Sequence, residues 1–298
     1  MEKRDSLLPE RILCPIDFSD LSNLALKYAA IGAREFKAEL SILHADTFDM
    51  PRYFSHSEDD ALLRQLQETK KAVRKMIREH ARKILGSLAD QLPLTFEAVE
   101  GHPIDAIMNA AENDRTDLIV LGTHGYSGLQ RFLLGSVTEN VVRNTKVPVF
   151  TVRQKAHDFI DSHNVDAVPR IERILCPCNL MATAVPALLL SASIARRFQA
   201  ELTVLHCIDA EPGTADTKRL KAWIADTVTD YDALKSVACK GNAPEAIISH
   251  AKVQQIDLII LGANHKPFME NTVMGKTTEL VLRQAPVPVL AVPHVVRR

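Results

Sequence analysis

The sequence predicts an α/β protein of two tandem, open-twisted, five-stranded parallel sheets flanked by helices, a Rossmann-like arrangement. Three observations carry this. Short, near-continuous apolar runs alternate with helical stretches, as in parallel sheets covered on both faces. The pattern occurs twice in the same order. A glycine-rich segment then joins one such run to a helix, where α/β sheets bind ligands.

The repeat is explicit. Arg11-Ile-Leu-Cys-Pro-Ile-Asp17 returns as Arg173-Ile-Leu-Cys-Pro-Cys-Asn179, and Leu43-His44 as Leu205-His206. Asp117-Leu-Ile-Val-Leu-Gly122 returns as Asp257-Leu-Ile-Ile-Leu-Gly262. Val147-Pro-Val-Phe-Thr-Val152 returns as Val287-Pro-Val-Leu-Ala-Val292. The first two pairs are offset by 162 residues and the last two by 140, so the second copy is 22 residues shorter between His206 and Lys240. The domains are expected over residues 8–153 and 171–295, with 154–170 as a polar linker that needs no regular structure. The length of 298 residues agrees with two units, each large enough to bury a core.

Each element of the first copy has its own justification. Arg11 to Ile16 is an apolar strand that breaks at Asp17. Ser19 or Asp20 caps the helix that follows, and Leu21, Leu24, Ala25, Tyr28, Ala29, Gly32 and Phe36 form its buried face. Ala38 to Ala45 is the second strand, and residues 46–60 read as polar and irregular. A long helix runs from about Asp60 to Gly86, its apolar stripe being Leu62, Leu66, Val73, Ile77, Ala81 and Ile84. Leu94 to Val99 alternates as a strand, and Pro103 to Glu112 is a helix. Asp117 to Leu121 is a buried strand, Val137 to Arg143 a helix, and Val147 to Val152 the last strand. Pro148 and Pro288 inside the last strands suggest edge positions, because proline cannot donate to a ladder. Two like edges could pair, Val147–Val152 with Val287–Val292.

Bulk properties exclude some roles. The formal charge of −1 gives no general attraction to nucleic acid or anionic lipid. The longest weakly polar run, Ala184 to Ala195, is too short to span a bilayer, and the polar start Met1-Glu-Lys-Arg-Asp-Ser is unlike a signal peptide. A cytoplasmic protein is the expectation. Five cysteines without such a signal argue against a disulfide framework. Cys14 and Cys176 read as buried small hydrophobes. Cys176, Cys178 and Cys207 would approach one another if their strands are neighbours, but Cys-x-Cys is not the usual zinc spacing.

The most informative segment is Gly122-Thr-His-Gly125-Tyr-Ser-Gly128-Leu-Gln-Arg-Phe-Leu-Leu-Gly135-Ser136, which holds four of the chain's 11 glycines. Glycine permits close approach to a ligand, and the free N–H groups of a first helical turn attract anions. These residues resemble the nucleotide-binding branch of the universal stress protein family, whose motif is Gly-x2-Gly-x9-Gly-[Ser/Thr]. Gly122, Gly125, Gly135 and Ser136 match every element, and Asp17 matches the aspartate that ends the family's first strand. The resemblance covers essentially the whole chain, as a tandem two-domain form.

That resemblance implies sheets in the order 3-2-1-4-5, binding of ATP or AMP (with Mg accompanying ATP), and pairing through the fifth strand. It implies that Asp17 hydrogen-bonds ribose hydroxyls and that the backbone around Pro15, Ile16, Ala45 and Leu121 flanks adenine. Gly122, Gly125 and Gly135 would admit ribose and phosphates, and Ser136 with the amides of Val137 and Thr138 would bind phosphate oxygens. The second copy departs from the pattern: Asn179 replaces Asp17, His265 replaces Gly125 and Lys276 replaces Ser136. A degenerate site is expected there.

Blander readings stand beside these. Asp17 also reads, second to ligand binding, as a turn residue at a strand end, and His44 and His206 read as scaffold residues hydrogen-bonded at strand ends ahead of a paired ligand role. His124 lies in the loop, where an acid or base near phosphate would stand, but no partner carboxylate is visible in the sequence; Arg131 in the same loop would add positive charge. Gly275-Lys276-Thr277 is no P-loop, since Glu270 stands where that loop needs glycine. The charged helix over 59–83 is a solvated surface or a partner-docking face. Three functions remain open: an adenine-nucleotide-binding stress or energy-state module, a slow ATPase or nucleotide transferase in the same site, and a nucleotide-independent interaction protein. The sequence shows no evident base, metal-carboxylate pair or arginine finger for phosphoryl transfer. Both a monomer whose repeats satisfy each other and a homodimer are compatible with it.

Overall fold

The structure is a computed structural model. It describes residues 7–46, 59–123, 134–153, 158–229, 231–263, 265–268 and 271–294, apart from the side chains of residues 59–66, 265–268 and 271–273. The first half runs β1 (Arg11–Pro15), α1 (Asp20–Phe36), β2 (Glu39–Asp46), α2 (Asp59–Leu85), α3 (Leu88–Gln91), β3 (Leu94–Glu100), α4 (Pro103–Asn113), β4 (Leu118–Gly122), α5 (Ser136–Asn144) and β5 (Val149–Val152). The second runs β6 (Arg173–Cys178), a 3-10 turn over Ala182–Ala184, α6 (Val185–Phe198), β7 (Glu201–Ile208), α7 (Thr214–Ala225), β8 (Leu234–Lys240), α8 (Ala243–Val253) and β9 (Leu258–Ala263). It ends with β10 (His265–Phe268), β11 (Asn271–Met274), α9 (Lys276–Gln284) and β12 (Val289–Pro293).

Both halves have the strand order 3-2-1-4-5, and they are fused into one ten-stranded sheet, β3-β2-β1-β4-β5-β12-β9-β6-β7-β8. Within this sheet all neighbours of one half are parallel, while β10 and β11 form a separate antiparallel pair. The seam is antiparallel, with Val149, Phe150 and Thr151 opposite Ala291, Leu290 and Val289. The Thr151 hydroxyl adds a 3.0 Å hydrogen bond to the Val289 carbonyl. The last strands therefore pair as expected, but the prolines do not sit inside them. Pro148 and Pro288 immediately precede β5 and β12, where no ladder donor is required, and their carbonyls accept from Ile119 and Ile259 at 2.9 and 3.2 Å. Nor is β5 an edge, since it lies between β4 and β12.

Strand residues alternate between two apolar layers. Ile12, Cys14, Ile42 and Val120 pack beneath α1, α2 and α3. Leu13, Leu43, Ile119 and Leu121 pack beneath α4 and α5. Each layer continues across the seam into the second half, through Phe150 and Leu290 on one face and Val149 and Val289 on the other. The long α2 turns Ile77, Ala81 and Leu85 into the core; its counterpart α7 is a short helix anchored by Leu220 and Ile224. This contrast, 27 residues against 12, accounts for most of the shortening of the second copy.

The backbone repeats more faithfully than the side chains. Left-handed φ recurs at Phe18 and Leu180, Lys37 and Gln199, Gly101 and Gly241, and Arg115 and Gln255. Lys37 and Gln199 end α1 and α6, their N–H groups closing the last turn. Across the seam, Phe36 meets Phe198 edge to face at 6.1 Å, and the Arg197 guanidinium reaches both the carbonyl and the carboxylate of Glu35 at 3.0 Å. Arg283 of α9 lies 3.7 Å from Glu139 of α5, which is also paired with Arg143.

The linker has no helix or strand among its described residues, yet it is docked. Phe159 packs edge-on to Tyr28 at 5.0 Å, next to Phe150, and Ile160 is buried. Tyr28 donates to Asp158 at 2.7 Å and Lys27 to the Ser162 carbonyl at 2.6 Å. Burial, then the charge of Asp158, pushes the Tyr28 phenol up, so it stays protonated and keeps donating. Arg34 spreads one guanidinium over the carbonyls of Val165, Asp166 and Ala167 at 2.8–3.1 Å. Arg34→Ala is expected to lower stability in urea by about 2 kcal/mol and to open residues 158–170 to proteolysis. Arg34→Lys restores neither, because a point charge cannot span three carbonyls.

Candidate functional site

The carboxyl ends of β1, β2 and β4 meet where the winding direction reverses, β2 lying on one side of β1 and β4 on the other. Pro15 is level with Leu43, and Ile16 donates its N–H to the Leu43 carbonyl at 2.8 Å. Continuing the β1–β4 register from Leu13 opposite Ile119 sets Pro15 and Ile16 beside Leu121 and Gly122. Ala45 lies two residues on, near the end of β2. Of the expected site residues, Pro15, Ile16, Asp17, Ala45, Leu121 and Gly122 thus share one end of the sheet. Gly125, with His124, Gly128 and Arg131, lies outside the described residues.

Asp17 forms the turn out of β1. Its Oδ1 accepts from the Ser19 amide at 3.0 Å and from the Ser19 hydroxyl at 2.6 Å. Ser19 in turn caps α1, accepting from the Ser22 amide at 3.2 Å. The turn puts Phe18 at φ 63°, a conformation rarely adopted by a side-chain-bearing residue. Its ring lies between His44 at 4.7 Å and His80 at 4.9 Å. His44 Nδ1 lies 2.8 Å from the Ile16 carbonyl; since a carbonyl only accepts, Nδ1 carries the proton. The same contact recurs at 3.0 Å between His206 and the Cys178 carbonyl, so these histidines are hydrogen-bonded scaffold in both halves.

The glycine motif has two separable physical roles. Gly122 is required for packing: a Cβ there would lie 2.8 Å from Leu21 Cγ and 3.3 Å from the Leu21 carbonyl carbon. Its absence lets α1 close onto β4. Gly135 caps α5 and brings no side-chain hydrogen bond to the first-turn amides. Those amides, from Ser136, Val137 and Thr138, have no partner within the helix itself. The Thr138 hydroxyl is turned away to the Gly122 carbonyl at 2.7 Å, tying the helix start to the end of β4. The Gly135 amide donates to the Thr123 carbonyl at 2.7 Å, so the segment between them leaves and returns at one point. Ser136 is exposed at the first helical position, and Asp17 is half-buried at the neighbouring strand end.

The sequence reading missed Phe18, His80 and Asn23. His80 Nε2 lies 2.6 Å from Asn23 Oδ1, placing α2 over the turn. A polar residue within the long helix gave no sign of this; only the αL conformation at Phe18, invisible in sequence, directs its ring there.

The second half keeps the frame with other chemistry. Asn179 Oδ1 accepts from the Met181 amide at 3.1 Å, as Asp17 does from Ser19. Thr278 reaches the Gly262 carbonyl at 3.3 Å. Exposed Lys276 opens α9 after Gly275, and the preceding segment forms the β10–β11 hairpin, with β11 packed against α5. Among the described residues, no three His, Cys, Asp or Glu side chains converge as a metal ion requires. No helix among them is long and apolar enough to cross a membrane.

Comparison with known proteins gives a consistent result. The sequence profile of the Universal stress protein family matches residues 9–153 and again residues 170–293. A universal stress protein of Methanocaldococcus jannaschii is 37% identical over 152 residues, covering 49% of this chain and 84% of that protein. A second from the same organism is 30% identical over 159 residues, covering 50% of this chain and 98% of that protein. The crystal structure of a universal stress protein from Archaeoglobus fulgidus aligns over 96% of this chain and 98% of its own, with a TM-score of 0.66. At 22% identity that likeness speaks to fold alone.

Two outcomes follow from the site's geometry. Gly122→Ala is expected to cost about 1–3 kcal/mol in chemical denaturation. Gly262→Ala should cost less, because a Cβ there meets nothing nearer than the Thr183 carbonyl at 3.4 Å. The second concerns His80, whose pKa is held below the usual 6.5 by burial and then by Lys83. The unfolded chain therefore takes up the proton first as pH falls. The stability held above pH 6.5 is lost as pH drops from there towards the folded-state value. Thermal melts of the His80→Gln protein should show a smaller loss over that window than the parent.

Proposed function

Because the chain belongs to the universal stress protein family, we propose that its first half binds an adenine nucleotide, ATP or AMP, and that the second half supports it without binding one. The observation that carries this reading is the start of α5. Gly135 leaves the first-turn amides without a capping side chain, and Asp17 stands at the adjoining strand end. Ser136 and the amides of Val137 and Thr138 hold phosphate oxygens, with the helix dipole favouring their charge. Asp17 accepts from ribose hydroxyls, and the backbone of Pro15, Ile16, Ala45 and Leu121 flanks the base. Gly125 belongs to this reading on sequence alone. A magnesium ion, where ATP is bound, is carried by the phosphates.

Occupancy of the site alters the surface offered to a partner. That is the output of a cytoplasmic stress or energy-state sensor. In the second half Asn179 supplies no negative charge, and Lys276 replaces the small hydroxyl that would face phosphate.

Titration calorimetry of the full chain with ATP and with AMP tests the proposal. One nucleotide is expected per chain. Asp17→Ala should weaken binding by about tenfold to a hundredfold, the loss of hydrogen bonds to a charged acceptor. Asn179→Ala should leave it unchanged. Absence of binding heat with either nucleotide at millimolar concentration overturns the reading.

A further inference from the structure

The second half carries a thiol pair that the nucleotide reading does not use. Cys207 and Cys239 are directly opposite in the parallel β7–β8 pair, near the carboxyl ends of both strands. Cys239 donates to Cys207 with 3.3 Å between the sulfurs, and both are free and half-buried. Cys178 ends the adjacent strand β6, level with His206. In the first half the corresponding cross-strand pair is Ala45 and Val99, so the thiols belong to the second half alone. There they occupy the rim that in the first half faces the proposed nucleotide.

The geometry points to a peroxide-responsive dithiol: a small hydroperoxide oxidises Cys207 and Cys239 to a reversible disulfide. Neighbouring strands lie about 4.8 Å apart, which falls within the roughly 4.4–6.8 Å between α-carbons that a disulfide spans. The sulfurs need only turn about their side-chain torsions to close the remaining gap. Burial, and then the contact with Cys239, pushes the Cys207 thiol up to about 12, so Cys207 holds its proton. Cys239 lies on β8, the outermost strand of the sheet, and is the sulfur we assign to meet the peroxide first.

The Cys239 thiolate attacks one peroxide oxygen. The O–O bond breaks, a sulfenic acid forms, and the departing hydroxide leaves as water with the proton released by Cys239. The Cys207 sulfur then attacks the Cys239 sulfur, expelling hydroxide, which takes the Cys207 proton as a second water. Two thiols lose two electrons and one peroxide gains them. Cys14 and Cys176 take no part, being fully buried in the core, where burial raises both thiols.

The test is peptide mapping of the intact chain after native exposure to hydrogen peroxide and alkylation of remaining thiols. The expected product is a peptide joining Cys207 to Cys239, lighter by two hydrogens and reversed by a dithiol reductant. Two of the five cysteines then escape alkylation in the unfolded protein. In C207S, shown by circular dichroism to be folded, dimedone should trap the sulfenic acid at Cys239. The map of the unsubstituted protein is decisive by itself. Over-oxidation of Cys239 without a link, a link through Cys178 instead, or five unchanged thiols each overturn the proposal.

Discussion

An open parallel sheet ends in a strand whose outer N–H and C=O groups need partners, and this chain meets that need with its own second copy. The β5–β12 seam turns two edges into an interior ladder. Much else is arranged around it. Phe150 and Leu290 carry one apolar layer across the join, and Val149 and Val289 carry the other. Glu139 of α5 meets Arg283 of α9 over the same line. The linker leaves β5 and is held against α1 beside Phe150 by Tyr28, Lys27 and Arg34. Without the seam the two apolar layers would end at β5 and β12, and Glu139 would not meet Arg283.

Within that frame the halves have taken different chemistry onto one backbone. Phe18 and Leu180 hold the same left-handed turn, yet Asp17 stands before one and Asn179 before the other. The helix after β4 opens with Gly135 and Ser136, and the helix after β9 with Gly275 and Lys276. Turn geometry is fixed by a hydrogen bond from the backbone amide two residues on, which the side-chain oxygen of either Asp17 or Asn179 accepts. The side chains at the sheet ends carry little of the core and are free to change.

Much of the fold was legible in the sequence. Two copies of the same apolar runs in one order predict two parallel sheets and their edge-to-edge join, because period and repetition are local properties of the chain. The candidate site was legible as far as spacing reaches, in Gly122, Gly135, Ser136 and Asp17. Four things were not legible. Pro148 and Pro288 read as strand residues because an apolar run does not mark where its ladder begins. The linker reads as polar, yet Phe159 and Ile160 are what docks it. Gly122 reads as a ligand contact, while its closeness to Leu21 arises between segments about a hundred residues apart. Cys239 escaped notice for the same reason: its partner is chosen by β7–β8 register, not by spacing along the chain.

The docked linker has a consequence for how such a molecule assembles. Its two mating strands are tethered, so they meet at a local concentration set by the tether and not by how much protein is present. Dilution therefore does not weaken their pairing as it weakens that of two separate chains. A duplicated gene product held this way is a fixed pairing of unlike partners, in which one member can abandon an ancestral duty while the other retains it.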